Sequence, residues 1–76
     1  MAEKTLDATG LSCPLPVLKA RKALQSMSAG QTLEVLATDP GAVEDFAAFC
    51  ETAEHELLES ETVEGNRYRF VIKKKG

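Results

Sequence analysis

Several residue types that mark common functional classes are scarce in this 76-residue sequence. It has no tryptophan, one tyrosine, three phenylalanines and one histidine, and its net charge is −3. A nucleic-acid-binding surface usually combines clustered basic residues with exposed aromatic rings, and neither is abundant here. No apolar run approaches the length of a transmembrane helix. We therefore expect no direct nucleic-acid binding and no membrane partner.

Cysteine is also rare, and the two cysteines are far apart. Cys13 and Cys50 do not form a Cys-x-x-Cys pair, which disfavours a thioredoxin-type dithiol. Two cysteines and one histidine make a poor zinc site, because structural zinc takes four ligands at tight spacing. We expect no metal and no cofactor. The residues after Met1 contain no secretory hydrophobic region, which indicates a reducing cytoplasm where a thiol stays free.

The composition is ordinary for a folded protein, with 43% apolar and 28% charged residues. A chain of this length is expected to form one domain over residues 1–76 with a modest core. Alternating or apolar runs bounded by turn residues predict four strands. These are Lys4–Ala8, Leu33–Thr38, His55–Thr62 and Arg67–Lys73.

Two helical patterns lie between the first three strands. The first helix is predicted to begin at Pro14 or Pro16 and to be followed by Gly30 in a left-handed conformation. For the second helix, Asp39 is the predicted N-cap and Pro40 the first helical residue. The apolar stripe of the first helix consists of Val17, Ala20, Leu24 and Met27. The second has the apolar face Ala42, Phe46, Phe49, Cys50 and Ala53, and a solvated side of Glu44, Asp45 and Glu51.

The predicted element order is therefore β-α-β-α-β-β. The first βαβ unit makes the first two strands parallel through a right-handed crossover, and the last two strands form an antiparallel hairpin. The glutamates of the third strand can pair with the arginines of the fourth. One-sided strands need cover on one face only, so we expect both helices on the same face, in a two-layer α/β (α+β) sandwich.

The turn Gly10–Pro16 is the strongest candidate site, because it places Cys13 at the mouth of the first helix. The helix macrodipole and unpaired N–H groups such as those of Val17 and Leu18 are expected to lower the pKa of the Cys13 thiol. That would make the thiol a nucleophile near neutral pH. The alternative is that Cys13 is a small buried apolar residue, which is less typical of a surface turn.

Other candidate residues have open interpretations. Cys50 lies on the apolar face of the second helix, which favours core packing over a second redox or resolving role. His55 is favoured as a structural or hydrogen-bonded residue over a catalytic one. Lys19, Arg21 and Lys22 form either a solvated helix face or a basic rim that stabilises a sulfur anion or docks an acidic partner.

The run Leu6–Pro16 resembles the signature Leu-Asp-x-x-Gly-x-x-Cys-Pro-x-Pro of the TusA/SirA-type sulfur carrier family, with every fixed position present. The motif positions around Cys13 are Asp7, Gly10, Pro14 and Pro16. The similarity continues into Asp39-Pro40, Phe49-Cys50, Glu54–Leu57 and Tyr68–Phe70, and so covers nearly the whole chain. Many relatives carry a glycine before the histidine. This chain has Glu54 at that position, which resembles the TusA branch of the family more than its other branches.

The resemblance implies a four-stranded mixed sheet with two helices on one face, and a sulfurtransferase that carries sulfane sulfur as a persulfide on Cys13. The donor would be a pyridoxal-dependent cysteine desulfurase or a rhodanese-like protein. The acceptor would be a downstream sulfur-relay protein leading to 2-thiouridine in tRNA. Dissimilatory sulfur oxidation and molybdenum cofactor supply are alternative routes, and a regulatory or RNA-binding module is the alternative from another functional class.

Overall fold

The structure, a computed structural model, describes residues 3–75. Its elements follow the predicted order β-α-β-α-β-β. They are β1 Lys4–Ala8, α1 Leu15–Gln25, β2 Thr32–Ala37, α2 Ala42–Ala53, β3 Glu56–Glu64 and β4 Arg67–Lys73. Within these described residues, neither helix is long and apolar enough to cross a membrane.

The four strands form one mixed sheet in the order β1-β2-β4-β3. β1 runs parallel to β2, while β4 pairs antiparallel with β2 on one side and with β3 on the other. The central strands are therefore β2 and β4, and the edges are β1 and β3. The predicted two-layer fold, with its parallel first pair and its terminal hairpin, is confirmed.

The core lies between the sheet and the two helices. On β2, Leu33, Val35 and Ala37 are fully buried and alternate with half-buried neighbours, as one covered sheet face requires. The ring of Phe46 from α2 stacks on Phe70 of β4 with their centroids 4.6 Å apart. The largest fully buried side chains are Phe46, Phe70, Leu24, Leu33, Ile72, Val35 and Pro16.

The ends of α1 and α2 differ from the prediction. α1 ends at Gln25, where the Ser26 hydroxyl donates to the carbonyl of Ala23 at 2.9 Å and competes with the helical pattern. Gly30 has the expected positive φ of 86°, but it lies in the turn before β2. Its N–H donates to the carbonyl of Lys74 at 3.0 Å. The left-handed conformation predicted for Gly30 is therefore confirmed, but its predicted position just past the end of the first helix is wrong.

Asp39 is not the N-cap of α2, which begins at Ala42 with Gly41 at the cap position and no side-chain cap hydrogen bond. The backbone carbonyl of Asp39 accepts the N–H of Ala42 at 2.9 Å, and that of Pro40 accepts the N–H of Val43 at 3.4 Å. Because backbone carbonyls serve the first helical N–H groups, the carboxylate of Asp39 is left to bond a different loop.

On the open face of the sheet, Arg69 of β4 joins three strands. Its guanidinium bonds Glu34 of β2 and two glutamates of β3, Glu59 at 2.7 Å and Glu61 at 3.2 Å. The hydrogen bonds to Glu34 and Glu59 raise the pKa of Arg69, and the bond from Arg69 lowers the pKa of Glu34. The expected pairing between β3 glutamates and a β4 arginine is confirmed, and Glu34 extends it across the sheet.

His55 lies in the connection between α2 and β3. Its Nδ1 accepts the backbone N–H of Lys75 at 3.0 Å, and its ring lies 5.6 Å from the ring of Phe49. Burial, together with the charges of Lys74 and Lys75, lowers the pKa of His55. The structure thus gives His55 the hydrogen-bonded position that we favoured. The preceding residue, Glu54, has a left-handed φ of 63°, a conformation that glycine adopts more readily than other residues.

Cys50 faces the core from α2, as its place on the apolar face predicts. It is 3% exposed, and burial raises its pKa to about 11.

The lowered pKa of His55 predicts a loss of stability in mild acid. Between its ordinary pKa and its lower folded value, the unfolded chain binds a proton that the folded chain does not, so the free energy of unfolding falls as pH falls. Urea titrations between about pH 7.5 and 5.5 should show this fall, since the carboxylates titrate at lower pH. His55→Asn, which keeps an acceptor near Nδ1, should remove it. Equal pH dependence in both proteins would contradict the assignment.

Removing the Cys50 sulfur should destabilise the core without affecting the chemistry at Cys13. We expect Cys50→Ala to lose about 1 kcal/mol of unfolding free energy, as small core truncations do. Urea denaturation measures the loss, and alkylation of Cys13 at fixed pH is the control. A variant of wild-type stability in which Cys13 no longer reacts would instead assign Cys50 to the site.

Candidate functional site

The site forms where the loops after β1 and β2 meet. Because β1 and β2 are parallel, both loops leave the same edge of the sheet. Gly10, with a left-handed φ of 80°, turns the first loop back toward the second. Its N–H donates to Oγ1 of Thr38 at 2.9 Å, which ties the loop after β1 to the end of β2.

Asp7, at the end of β1, shapes the start of the same loop. Its Oδ1 accepts the hydroxyl of Thr9 at 2.6 Å and the backbone N–H of Thr9 at 3.0 Å, an Asx-type turn. These two bonds lower the pKa of Asp7. The carboxylate of Asp7 therefore stabilises the turn by bonding Thr9, rather than bonding Cys13.

Pro14 and Pro16 begin α1. Pro14 occupies the cap position after a cis Cys13–Pro14 peptide, and Pro16 is buried in the first turn. The N–H of Leu15 donates to the carbonyl of Ser12 at 2.8 Å, and that of Leu18 to the carbonyl of Pro14 at 3.1 Å. The expectation that the Leu18 N–H stays free to face the sulfur is therefore wrong, because a backbone carbonyl of the turn accepts it.

The backbone of Cys13 is held by Asp39 from the loop after β2. The N–H of Cys13 donates to Oδ2 of Asp39 at 2.6 Å, and the N–H of Gly41 reaches Oδ1 at 3.3 Å. One carboxylate therefore bridges the two loops of the site. The side chain of Cys13 is exposed, so the prediction that it occupies a surface turn is confirmed.

The thiol of Cys13 donates its hydrogen to Oδ2 of Asp45, in the first turn of α2. This hydrogen bond, partial desolvation of the sulfur, and the negative charges of Asp45 and Asp39 raise the pKa of Cys13 to about 11. The predicted lowering of this pKa is therefore wrong. A full carboxylate charge in contact with the sulfur outweighs the partial positive charge of a helix N-terminus.

The basic residues of α1 do not form one rim around the sulfur. Lys19, Arg21 and Lys22 are all exposed. Lys19 and Lys22 lie with Lys4 of β1 on one side of the helix, while Arg21 lies beside Phe49 in the groove between the helices. The charges that act on Cys13 are those of the two aspartates. A docking role for the three basic residues stays a prediction.

Apolar side chains are exposed in the first turns of both helices, which follow the two loops of the site. Leu15, Leu18 and Val43 are 48%, 50% and 39% exposed. An open groove of about 330 Å³ runs from Asp45 between the helices. Pro14, Val17, Asp45, Ala48, Phe49 and Thr52 line it. Among residues 3–75, no three histidine, cysteine, aspartate or glutamate side chains converge as metal ligands would.

Sequence reasoning missed Asp39 and Asp45 as site residues. Asp39 was interpreted as a helix cap and Asp45 as part of a solvated side. One signal was available for Asp39: it follows the second of two parallel strands, whose carboxyl ends share an edge with Cys13. The sequence held no comparable signal for Asp45, because its contact depends on how α2 packs beside α1.

Comparison with known proteins gives three consistent similarities. The profile of the family described as "Sulfurtransferase TusA" matches residues 4–74. The sulfur carrier protein TusA of Allochromatium vinosum is 54% identical over 72 residues, covering 95% of this chain and 93% of that protein. A crystal structure of a SirA-like protein from Desulfitobacterium hafniense superposes with a TM-score of 0.82 at 26% identity, over 96% of this chain and 99% of that one.

The bridge through Asp39 predicts a local loosening when it is removed. We expect Asp39→Ala to speed amide exchange of the Cys13 N–H by about tenfold, since a charge-assisted hydrogen bond is lost. Asp39→Asn keeps one oxygen acceptor and should give an intermediate rate. NMR amide exchange measures this, with Glu44→Gln as a charge-matched control. Wild-type exchange in Asp39→Ala would show that the bond does not hold the loop.

Proposed function

The chain belongs to the TusA sulfurtransferase family, and we propose that it is a sulfur carrier that takes up sulfane sulfur as a persulfide on Cys13. The observation that carries this assignment is the contrast between its two cysteines. Cys13 is exposed at the carboxyl edge of the sheet, whereas Cys50 is buried in the core. A sulfur atom handed between proteins must meet another protein's sulfur, which only an accessible thiol can do.

The reaction is thiol–persulfide exchange. The thiolate of Cys13 attacks the terminal sulfur of a donor persulfide, one S–S bond forms as another breaks, and the donor cysteine leaves as a thiolate. The proton lost from Cys13 is taken up by that leaving thiolate. Two electrons move with each bond, no net oxidation occurs, and no further reactant is needed. The second transfer, to an acceptor, repeats the exchange with the carrier as donor.

The partners follow from this chemistry and from the family. The donor is a cysteine desulfurase, and the acceptor is a downstream relay protein on the route to 2-thiouridine in tRNA. The exposed Leu15, Leu18 and Val43 in the first turns of α1 and α2 support a protein rather than a small molecule as the exchange partner. The exchange takes place in the cytoplasm, where a reducing environment keeps both thiols free.

Loading by a desulfurase tests the assignment. Incubation with a cysteine desulfurase and cysteine should add one sulfur atom, about 32 Da by intact mass, removable by a reductant as a persulfide is. Cys13→Ser should not load, and its fold should persist because the residue is exposed. Cys50→Ala is the matched control and should load like wild type.

Two results would overturn the proposal. One is equal loading of Cys13→Ser, and the other is no loading of wild type from a desulfurase or a rhodanese-like donor. A salt-dependent complex with RNA, in a protein that does not load, would favour the regulatory or RNA-binding alternative. Loading from the rhodanese-like donor alone would favour sulfur oxidation over tRNA thiolation as the route that this carrier serves.

A further inference from the structure

The contact between Cys13 and Asp45 joins the reacting sulfur to an element that does not carry the motif. Asp45 lies in the first turn of α2, where its N–H donates to the carbonyl of Gly41 at 3.1 Å. Its Oδ2 accepts the Cys13 thiol hydrogen. The carboxylate is therefore held against the sulfur by the packing of one helix beside the other.

Among residues 3–75, the charges that act on Cys13 are those of two aspartates and no cation. α2 contributes Asp45, the loop before α2 contributes Asp39, and residues 9–14 of the β1–α1 loop are uncharged. The first turn of α1, residues 15–18, is also uncharged, and the charge at the end of β1, Asp7, is bonded to Thr9. Asp45 bonds the sulfur and Asp39 bonds the backbone N–H of Cys13, and both help to raise the pKa of Cys13 to about 11. At neutral pH the resting side chain is a thiol.

A thiol is a poor nucleophile, so this resting state has to be released before sulfur is transferred. We propose that Asp45 restrains Cys13 in the free carrier by accepting a hydrogen bond from its S–H group, and that a cationic side chain of the sulfur donor releases the sulfur by pairing with Asp45. The release by a donor cation rests on the proposed function, while the restraint by Asp45 can be tested without a donor.

The donor's chemistry follows from the charges and the surface. A lysine or arginine beside Asp45 takes over the carboxylate's hydrogen bond and cancels the charge that disfavours the thiolate. The exposed side chains of Leu15, Leu18 and Val43 give the donor an apolar surface to cover. Covering it excludes water, which strengthens the pairing of the cation with Asp45. The proton released from Cys13 then ends on the departing donor thiolate.

The first test compares Asp45→Asn with Glu44→Gln, both in a Cys50→Ala background. Glu44 lies in the same turn of α2 and is exposed, so its variant removes an equal charge. The readout is the pH dependence of alkylation by iodoacetamide. Asp45→Asn should move the thiol pKa from about 11 toward the ordinary value of 9.0, and Glu44→Gln should leave it near the wild-type value.

The rate at pH 7.5 should rise in Asp45→Asn. A drop of two pKa units raises the thiolate fraction about a hundredfold, and the weaker intrinsic nucleophilicity of the more acidic thiol removes about tenfold, leaving a net rise of about tenfold. An unchanged or slower rate overturns the restraint, and a slower rate would make Asp45 a general base instead. Circular dichroism and thermal melting check that each variant is folded.

The second test asks whether a cation is favoured at the sulfur. Methanethiosulfonates bearing a trimethylammonium or a sulfonate group are compared on each protein, with the rates for free cysteine as reference. In wild type the cationic reagent should be favoured, and this preference should fall several-fold in Asp45→Asn but much less in Glu44→Gln. An equal preference for the cationic reagent in all three proteins overturns the inference that a cation of the donor pairs with Asp45.

The outcomes separate this inference from the proposed function. If wild type loads sulfur from a desulfurase but Asp45→Asn alkylates at the wild-type rate, the restraint is wrong and the carrier assignment stands. If Asp45→Asn alkylates faster but wild type loads from no donor, the restraint stands and the carrier assignment is wrong.

Discussion

The parallel pairing of β1 with β2 is the constraint on which the site depends. It sends the loops after both strands to one edge of the sheet, so residues 26 positions apart in sequence come into hydrogen-bond contact. The right-handed crossover then places α1 over the sheet, and α2 packs beside it. A single carboxylate, that of Asp39, bonds both loops because this topology brings them to the same edge.

The fold was predictable from local patterns wherever one face of an element is buried. The predicted bounds of β1 and β4 are correct. Their alternating pattern fixes the register, because a shift of one residue would turn every apolar side chain toward solvent. Helix ends were less predictable. Gly30 and Asp39 are both typical terminal residues, yet the structure uses Gly30 in a turn before β2 and Asp39 between two loops. Such residues have more than one stable use, and tertiary contacts select among them.

The candidate site was predictable in position but not in electrostatics. The motif and the turn residues located Cys13 correctly at an exposed helix start. Its pKa could not be derived from that position, because the dominant contribution comes from Asp45, on another helix. A helix terminus contributes a partial charge at some distance, whereas the carboxylate is a full charge in hydrogen-bond contact. Local sequence reports the first effect, and only the packing of α2 against α1 reveals the second.

The two cysteines reach similar resting states by different physical means. Burial raises the pKa of Cys50 to about 11, while the hydrogen bond to Asp45 is the main cause that raises the pKa of Cys13 to about 11. Reversing the first requires the core around Phe46 to open, which disrupts the packing that stabilises a small protein. Reversing the second requires only that one exposed contact be exchanged for another. A thiol that must stay unreactive between partners and react with one of them is therefore better restrained by a carboxylate at the surface than by burial.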